Sequence, residues 1–89
     1  MFWVESARDN HKRKAKRWDL YGDYTHPTWG VLHNYHYAMV CRTRRKGGGY
    51  QVYLFHLHPA RIEPSGVFFP RVGQAKQYAE VMVKLERST

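Results

Sequence analysis

The sequence predicts a small α+β domain: a short antiparallel sheet of three to four strands with a C-terminal helix packed on one face. Three observations carry this expectation. Two segments rich in Tyr, Val, Phe and Leu, Asn34 to Arg45 and Tyr50 to Pro59, flank Lys46-Gly47-Gly48-Gly49. Glycines supply the positive φ angles that a reversal needs, so a central β-hairpin is expected over about 34–59. Ala75, Tyr78, Ala79, Met82 and Leu85 then recur at steps of three and four, which predicts an amphipathic helix over about 72–87. The apolar stripe of that helix needs a cover, and one face of the sheet is the available one.

The remaining elements follow from local chemistry. Arg8, Lys12, Arg13, Lys14, Lys16 and Arg17 form a dense cationic run after Ser6, which stands three residues before Asp9 in the manner of a capping box. A short helix from about Ala7 to Arg17 is one expectation. Because that helix has almost no apolar stripe, a basic arm over 1–17 that orders on meeting an anion is the other. Trp18 to Trp29 is aromatic and turn-rich, and reads as a short strand with a loop through His26-Pro27. Ile62 to Phe69, interrupted by Pro64 and Gly66, reads as an edge strand. Pairing of that edge with a second copy would give a homodimer, whereas Pro64 would protect a lone edge.

A two-residue reversal with Lys46 opposite Gly49 sets an expected register. Arg45 then faces Tyr50, Thr43 faces Val52, Cys41 faces Leu54, Met39 faces His56 and Tyr37 faces His58, and this face is expected against the helix. The other face pairs Arg44 with Gln51, Arg42 with Tyr53, Val40 with Phe55 and Ala38 with Leu57. Cationic and aromatic side chains mixed on one surface suit single-stranded nucleic acid, with Arg on phosphates and Tyr53 and Phe55 under bases. The alternative is that Trp3 or Trp18 covers Tyr53 and Phe55, which then serve packing alone. A one-residue change in the turn would exchange the two faces.

Length and charge bound the function. Eighty-nine residues suffice for one domain, 1–89, and for one core. A single cysteine, Cys41, rules out an internal disulfide framework and a Cys-rich zinc site. No segment has the run of about 20 apolar residues that spanning a bilayer requires. The N-terminus places its apolar residues before its charges, the reverse of a secretory signal. No membrane association and a cytoplasmic location are therefore expected. Fifteen Lys and Arg against seven Asp and Glu give a net charge of +8. A field of this sign favours polyanions, with nucleic acid first and an acidic protein surface second.

Enzymatic parts are missing. His33-x-x-His36 and His56-x-His58 are the only paired histidines, and no carboxylate is placed by sequence to complete a metal site. The triple glycine joins two strands and therefore is not a nucleotide loop. No nucleophile motif or paired carboxylates accompany the histidines. Catalysis, a resident metal and a cofactor are accordingly not expected, and a small metal-dependent nuclease, which would carry stoichiometric zinc, is the third alternative. The function expected is that of a small basic nucleic-acid-binding accessory protein. Arg8, Lys12, Arg13, Lys14, Lys16 and Arg17 would hold phosphates, and Arg42, Arg44, Arg45 and Lys46 would extend the contact. Tyr53 and Phe55 would stack on bases. The competing expectation is an interaction module that docks on a host protein through Trp3, Trp29 and Phe68. In size, aromatic loops and lack of enzymatic parts, the chain resembles small proteins of phages and other mobile elements. After Asn34 the order of antiparallel strands and one helix is similar to the arm-type DNA-binding domains of phage integrases, in element order alone. Such an analogy does not carry function.

Overall fold

A computed structural model describes residues 1–10, 13–43, 48–57 and 60–87. Five strands precede one helix: β1 (Phe2–Asn10), β2 (Arg13–His26), β3 (Gly30–Arg42), β4 (Tyr50–Leu57), β5 (Ala60–Phe69) and α1 (Val72–Arg87). The strands form an antiparallel meander in the order β1-β2-β3-β4-β5. The α+β expectation holds, with five strands instead of three to four.

The N-terminal segment corrects the reading of a helix or an arm. Phe2–Asn10 pairs with Arg13–Tyr21 as the first hairpin of the sheet, from Phe2 opposite Tyr21 to Asn10 opposite Arg13. A helix here would bury nothing, whereas a strand lets Trp3 pack beside the core and Trp18 and Leu20 enter it. Burial of side chains at period two outweighs the local capping signal.

Leu20, Val40 and Val52 are fully buried at the centre of β2, β3 and β4, and Ala38 and Leu54 lie beside them. Helix α1 covers this face through Ala75, Ala79 and Val83. Each step of four brings the next small or branched residue onto the same side, and the two alanines let the helix approach closely. Tyr78 and Met82 flank the contact. Leu85, expected in the stripe, is 57% exposed, and Val83 occupies that role. The ends of the helix are those expected.

The β3–β4 register differs from the expected one by three residues. Arg42, not Arg45, stands opposite Tyr50, and Val40 stands opposite Val52. The connection is longer than a two-residue turn. It closes with Thr43 N–H donating to the Gly49 carbonyl at 2.9 Å, and Gly48 and Gly49 adopt positive φ. An odd shift exchanges the faces of one strand relative to the other. Val52 and Leu54 therefore meet the helix as expected, but with Val40 and Ala38 as their partners in place of Thr43 and Cys41. Gln51, Tyr53 and Phe55 lie on the opposite face, also as expected, but Cys41 and Met39 stand opposite Gln51 and Tyr53 in place of Arg44 and Arg42, and Arg42 falls on the side of Val40, away from Tyr53. A second irregularity falls at Tyr37: Leu20 pairs with Ala38 but Tyr21 pairs with His36. The extra residue puts His36 on the same face as Met39 and leaves the Tyr37 ring buried. No helix among the described residues is long and apolar enough to cross a membrane.

Candidate nucleic-acid interface

An antiparallel meander returns every second connection to the same end of the sheet. The β1–β2 turn, the β3–β4 connection and the start of α1 thus share one end. The described members of both cationic runs belong to it. Arg8, Arg13 and Lys14 are strand residues close to the β1–β2 turn. Lys16 and Arg17 follow, and Arg17 stands opposite Cys41, one residue from Arg42. Arg42 is exposed at the last paired position of β3. Lys12, Arg44, Arg45 and Lys46 lie outside the described residues. Exposed Arg71, just before α1, joins this end and was not anticipated. The first turn of α1 contains no acidic residue, so its exposed N–H groups add to the positive field.

Among the described side chains two acids moderate that field, and Asp9 stands opposite Lys14 in the β1–β2 register. Glu5 lies 3.8 Å from Lys16, with both side chains more than half exposed, an arrangement that contributes little. Asp19 is different, being buried, and a buried carboxylate needs compensation. Arg17 Nε donates to both its oxygens at 2.9 and 3.0 Å, and His36 Nε2 lies 2.7 Å from Oδ1. Arg17 is therefore partly committed to the fold, whereas Lys16 and Arg42 are exposed. Lys76 of α1 is also engaged, with its ammonium 5.6 Å from the Trp3 ring and 5.7 Å from the Trp18 ring.

The sheet face turned away from α1 has no described element packed on it. Phe2, Val4, Ile62 and Phe68 are exposed there. Across its middle runs an aromatic ladder. Phe2 and Tyr21 have ring centroids 5.8 Å apart, Tyr21 and His36 are stacked at 4.8 Å, and His36 and Phe55 are stacked at 4.4 Å. One face of the Phe55 ring is thus used by His36. Tyr53 is half-buried, and its hydroxyl donates to Gln51 Oε1 at 2.8 Å. Neither Trp3 nor Trp18 covers these rings, because both lie on the helix side. Phe2, Tyr21 and His36 escaped the sequence reading, although the alternation Trp18-x-Leu20 against Asp19-x-Tyr21 carries the signal.

The opposite end of the domain holds acids and histidines. Asp23 Oδ1 lies 3.0 Å from His33 Nδ1. His56 stands between two carboxylates, with Nε2 2.8 Å from Glu63 Oε2 and Nδ1 3.3 Å from Glu86 Oε1. The sequence places neither glutamate near His56; β5 and α1 bring them there. Beside them is a cleft of about 250 Å³ lined by Tyr24, Tyr35, Tyr37, Phe55, His56, Leu57, Val83 and Glu86. Burial, then the neighbouring Tyr24, Tyr37 and Glu86, raises the Tyr35 phenol above its usual value of 10.0.

Of the three aromatic anchors expected for protein docking, Trp29 is 68% exposed and stacked on His26, while Phe68 is exposed on the open face. Trp3 is instead held by α1. The β5 edge is interrupted where Tyr53 pairs with Pro64 but Gln51 pairs with Phe68, which blunts it as a template for strand addition. Comparison of the chain with protein-family models, curated proteins and solved structures finds no match.

Proposed function

We propose that this protein binds nucleic acid, chiefly through phosphate contacts at the end of the sheet shared by the β1–β2 and β3–β4 connections. One observation carries the reading. The meander brings Arg42 and the described members of the first cationic run, with Asp9 among them, to one end, while Asp23, Glu63 and Glu86 lie toward the other end. Arg8, Lys12, Arg13, Lys14, Lys16, Arg42, Arg44, Arg45 and Lys46 are the phosphate contacts proposed, with Arg17 contributing what its bond to Asp19 leaves exposed. Tyr53, and the face of Phe55 turned from His36, are the surfaces on which unpaired bases would stack. No base-reading pattern accompanies the cations, so the reading favours backbone contact over sequence specificity.

Binding of single- and double-stranded DNA and RNA, measured over a salt series, tests this. Log affinity should fall steeply with log salt, by about 0.7–0.9 in slope for each phosphate neutralised. Absence of binding at low salt, or binding indifferent to salt, would overturn the reading.

The uncovered sheet face favours a second reading, in which Phe68, Ile62 and Phe2 dock on a host protein. A pull-down after nuclease treatment separates the two. A protein partner that is retained supports docking, and loss of all partners supports nucleic acid.

A further inference from the structure

We infer that His56, Glu63 and Glu86 form a site for a divalent transition-metal ion of the zinc type, at the end of the domain remote from the cationic runs. Each residue offers one donor atom, and the three atoms lie within 4.8 Å of one another. They come from three elements, β4, β5 and α1, so the convergence is a product of the fold.

The donor set selects the kind of ion. One imidazole nitrogen with two carboxylate oxygens suits zinc and its first-row neighbours better than calcium or magnesium, which prefer oxygen alone. Once the imidazole is deprotonated, the three side chains carry two negative charges, which match a divalent cation. Zinc–nitrogen and zinc–oxygen bonds of about 2.0–2.2 Å at tetrahedral angles set donors about 3.3 Å apart, so Glu63, whose Oε2 stands 2.8 Å from Nε2, would draw back to admit the ion while Glu86 draws in. The groups that must move can do so. The His56 side chain is only 11% exposed and held in place, whereas those of Glu63 and Glu86 are 50% and 45% exposed.

Two features define the position of the ion. Glu63 Oε2 already approaches Nε2 of the ring, so the ion takes that nitrogen and Glu86 swings from its contact with Nδ1 to join it. Arg61 Nη2, 3.9 Å from the same Glu63 oxygen and exposed, turns aside to solvent. The second feature is the tyrosine-lined cleft, which reaches His56 and Glu86 and leaves room for the water that completes a site with three protein ligands. An ion here joins the edge strand β5 and the last turns of α1 to β4. Binding there would stabilise that end of the fold, and phosphates bound at the remote cationic end would not reach it.

The competing account is a protonated His56 bridging two carboxylates, which the same distances accommodate without any ion. Zinc titration of the tag-free, chelator-treated protein separates the two. Calorimetry should give one ion per chain, and the thermal midpoint should rise with zinc but not with magnesium. His56→Ala should lose both responses. Because that change also removes the bridge, the Glu63→Gln/Glu86→Gln variant serves as a second probe. It keeps the imidazole and the side-chain shapes, and should likewise lose zinc binding. No stoichiometric uptake by the parent protein would overturn the site. So would uptake that persists in both variants, which would locate zinc elsewhere, for example at His33 and Asp23.

Discussion

Trp3, in the first strand, donates its indole Nε1 proton to Oε1 of Glu80 in the helix at 2.8 Å, joining residues 77 positions apart. The contact ties β1, the outermost strand, to an element that otherwise packs on β3, β4 and β5. Trp3→Phe keeps a ring against the core but removes the donor. Water can reach the half-buried Glu80, so the loss should be about 1 kcal/mol. Denaturant unfolding should show a lower midpoint with an unchanged slope.

The faces of β3 can be tested by neighbouring substitutions. Val40 is fully buried on the helix side, and Val40→Ala should cost about 2 kcal/mol from lost burial and the cavity left behind. Cys41→Ser, on the open face, should change stability by less than about 0.5–1 kcal/mol. Equal costs at the two positions in unfolding experiments would contradict the register.

Asp19 predicts a larger effect than its size suggests. Asp19→Asn keeps the shape but leaves Arg17 and His36 facing a neutral amide in a buried position. A loss of about 1–3 kcal/mol is expected. Stability that does not change would mean that water compensates Arg17 and His36 without the carboxylate.

Tyr35 makes the fold sensitive to alkali. Its folded-state pKa lies above that of the unfolded chain, so the folded state holds the phenolic proton more tightly. This contribution is fully present below pH 10.0, the ordinary tyrosine value, and is lost as pH rises through the folded-state pKa. The thermal midpoint should therefore fall more steeply above that pH in the parent than in Tyr35→Phe. Tyrosinate absorbance should show one phenol titrating late.

For nucleic-acid binding, Arg42→Glu should weaken association with all sequences alike and lower the salt slope by about 1–2. Lys84→Glu makes the same charge change on an exposed residue of the later part of α1 and should alter affinity much less. Similar losses in the two variants would indicate a response to net charge alone. Arg17 is a poor choice for this test, because its replacement also orphans Asp19.

Much of the architecture was legible because it is written in local periodicity. The three- and four-residue steps from Ala75 onward set the helix, and the Tyr- and Val-rich segments around Gly48 and Gly49 set the central hairpin. The two cationic runs could be read as composition. Leu85 and Val83 exchanged roles because both fit a helical stripe, and only the position of the sheet chooses between them. The N-terminal strand was hidden by its charges, since a basic segment gains a reason to extend only when Trp3, Trp18 and Leu20 have a core to meet.

The sequence by itself determined the central hairpin, the C-terminal helix, the positive charge and the residues able to bear chemistry, since propensity and charge belong to residues and their near neighbours. The tertiary structure decided which of them meet. The order of the meander gave Arg42 and the first cationic run a common end, the register of β3 on β4 chose which side chains of β3 meet the helix, and the docking of α1 brought Glu86 to His56. These are distances between segments far apart in the chain, and they are set by the collective packing of Leu20, Val40, Val52, Ala75 and Ala79.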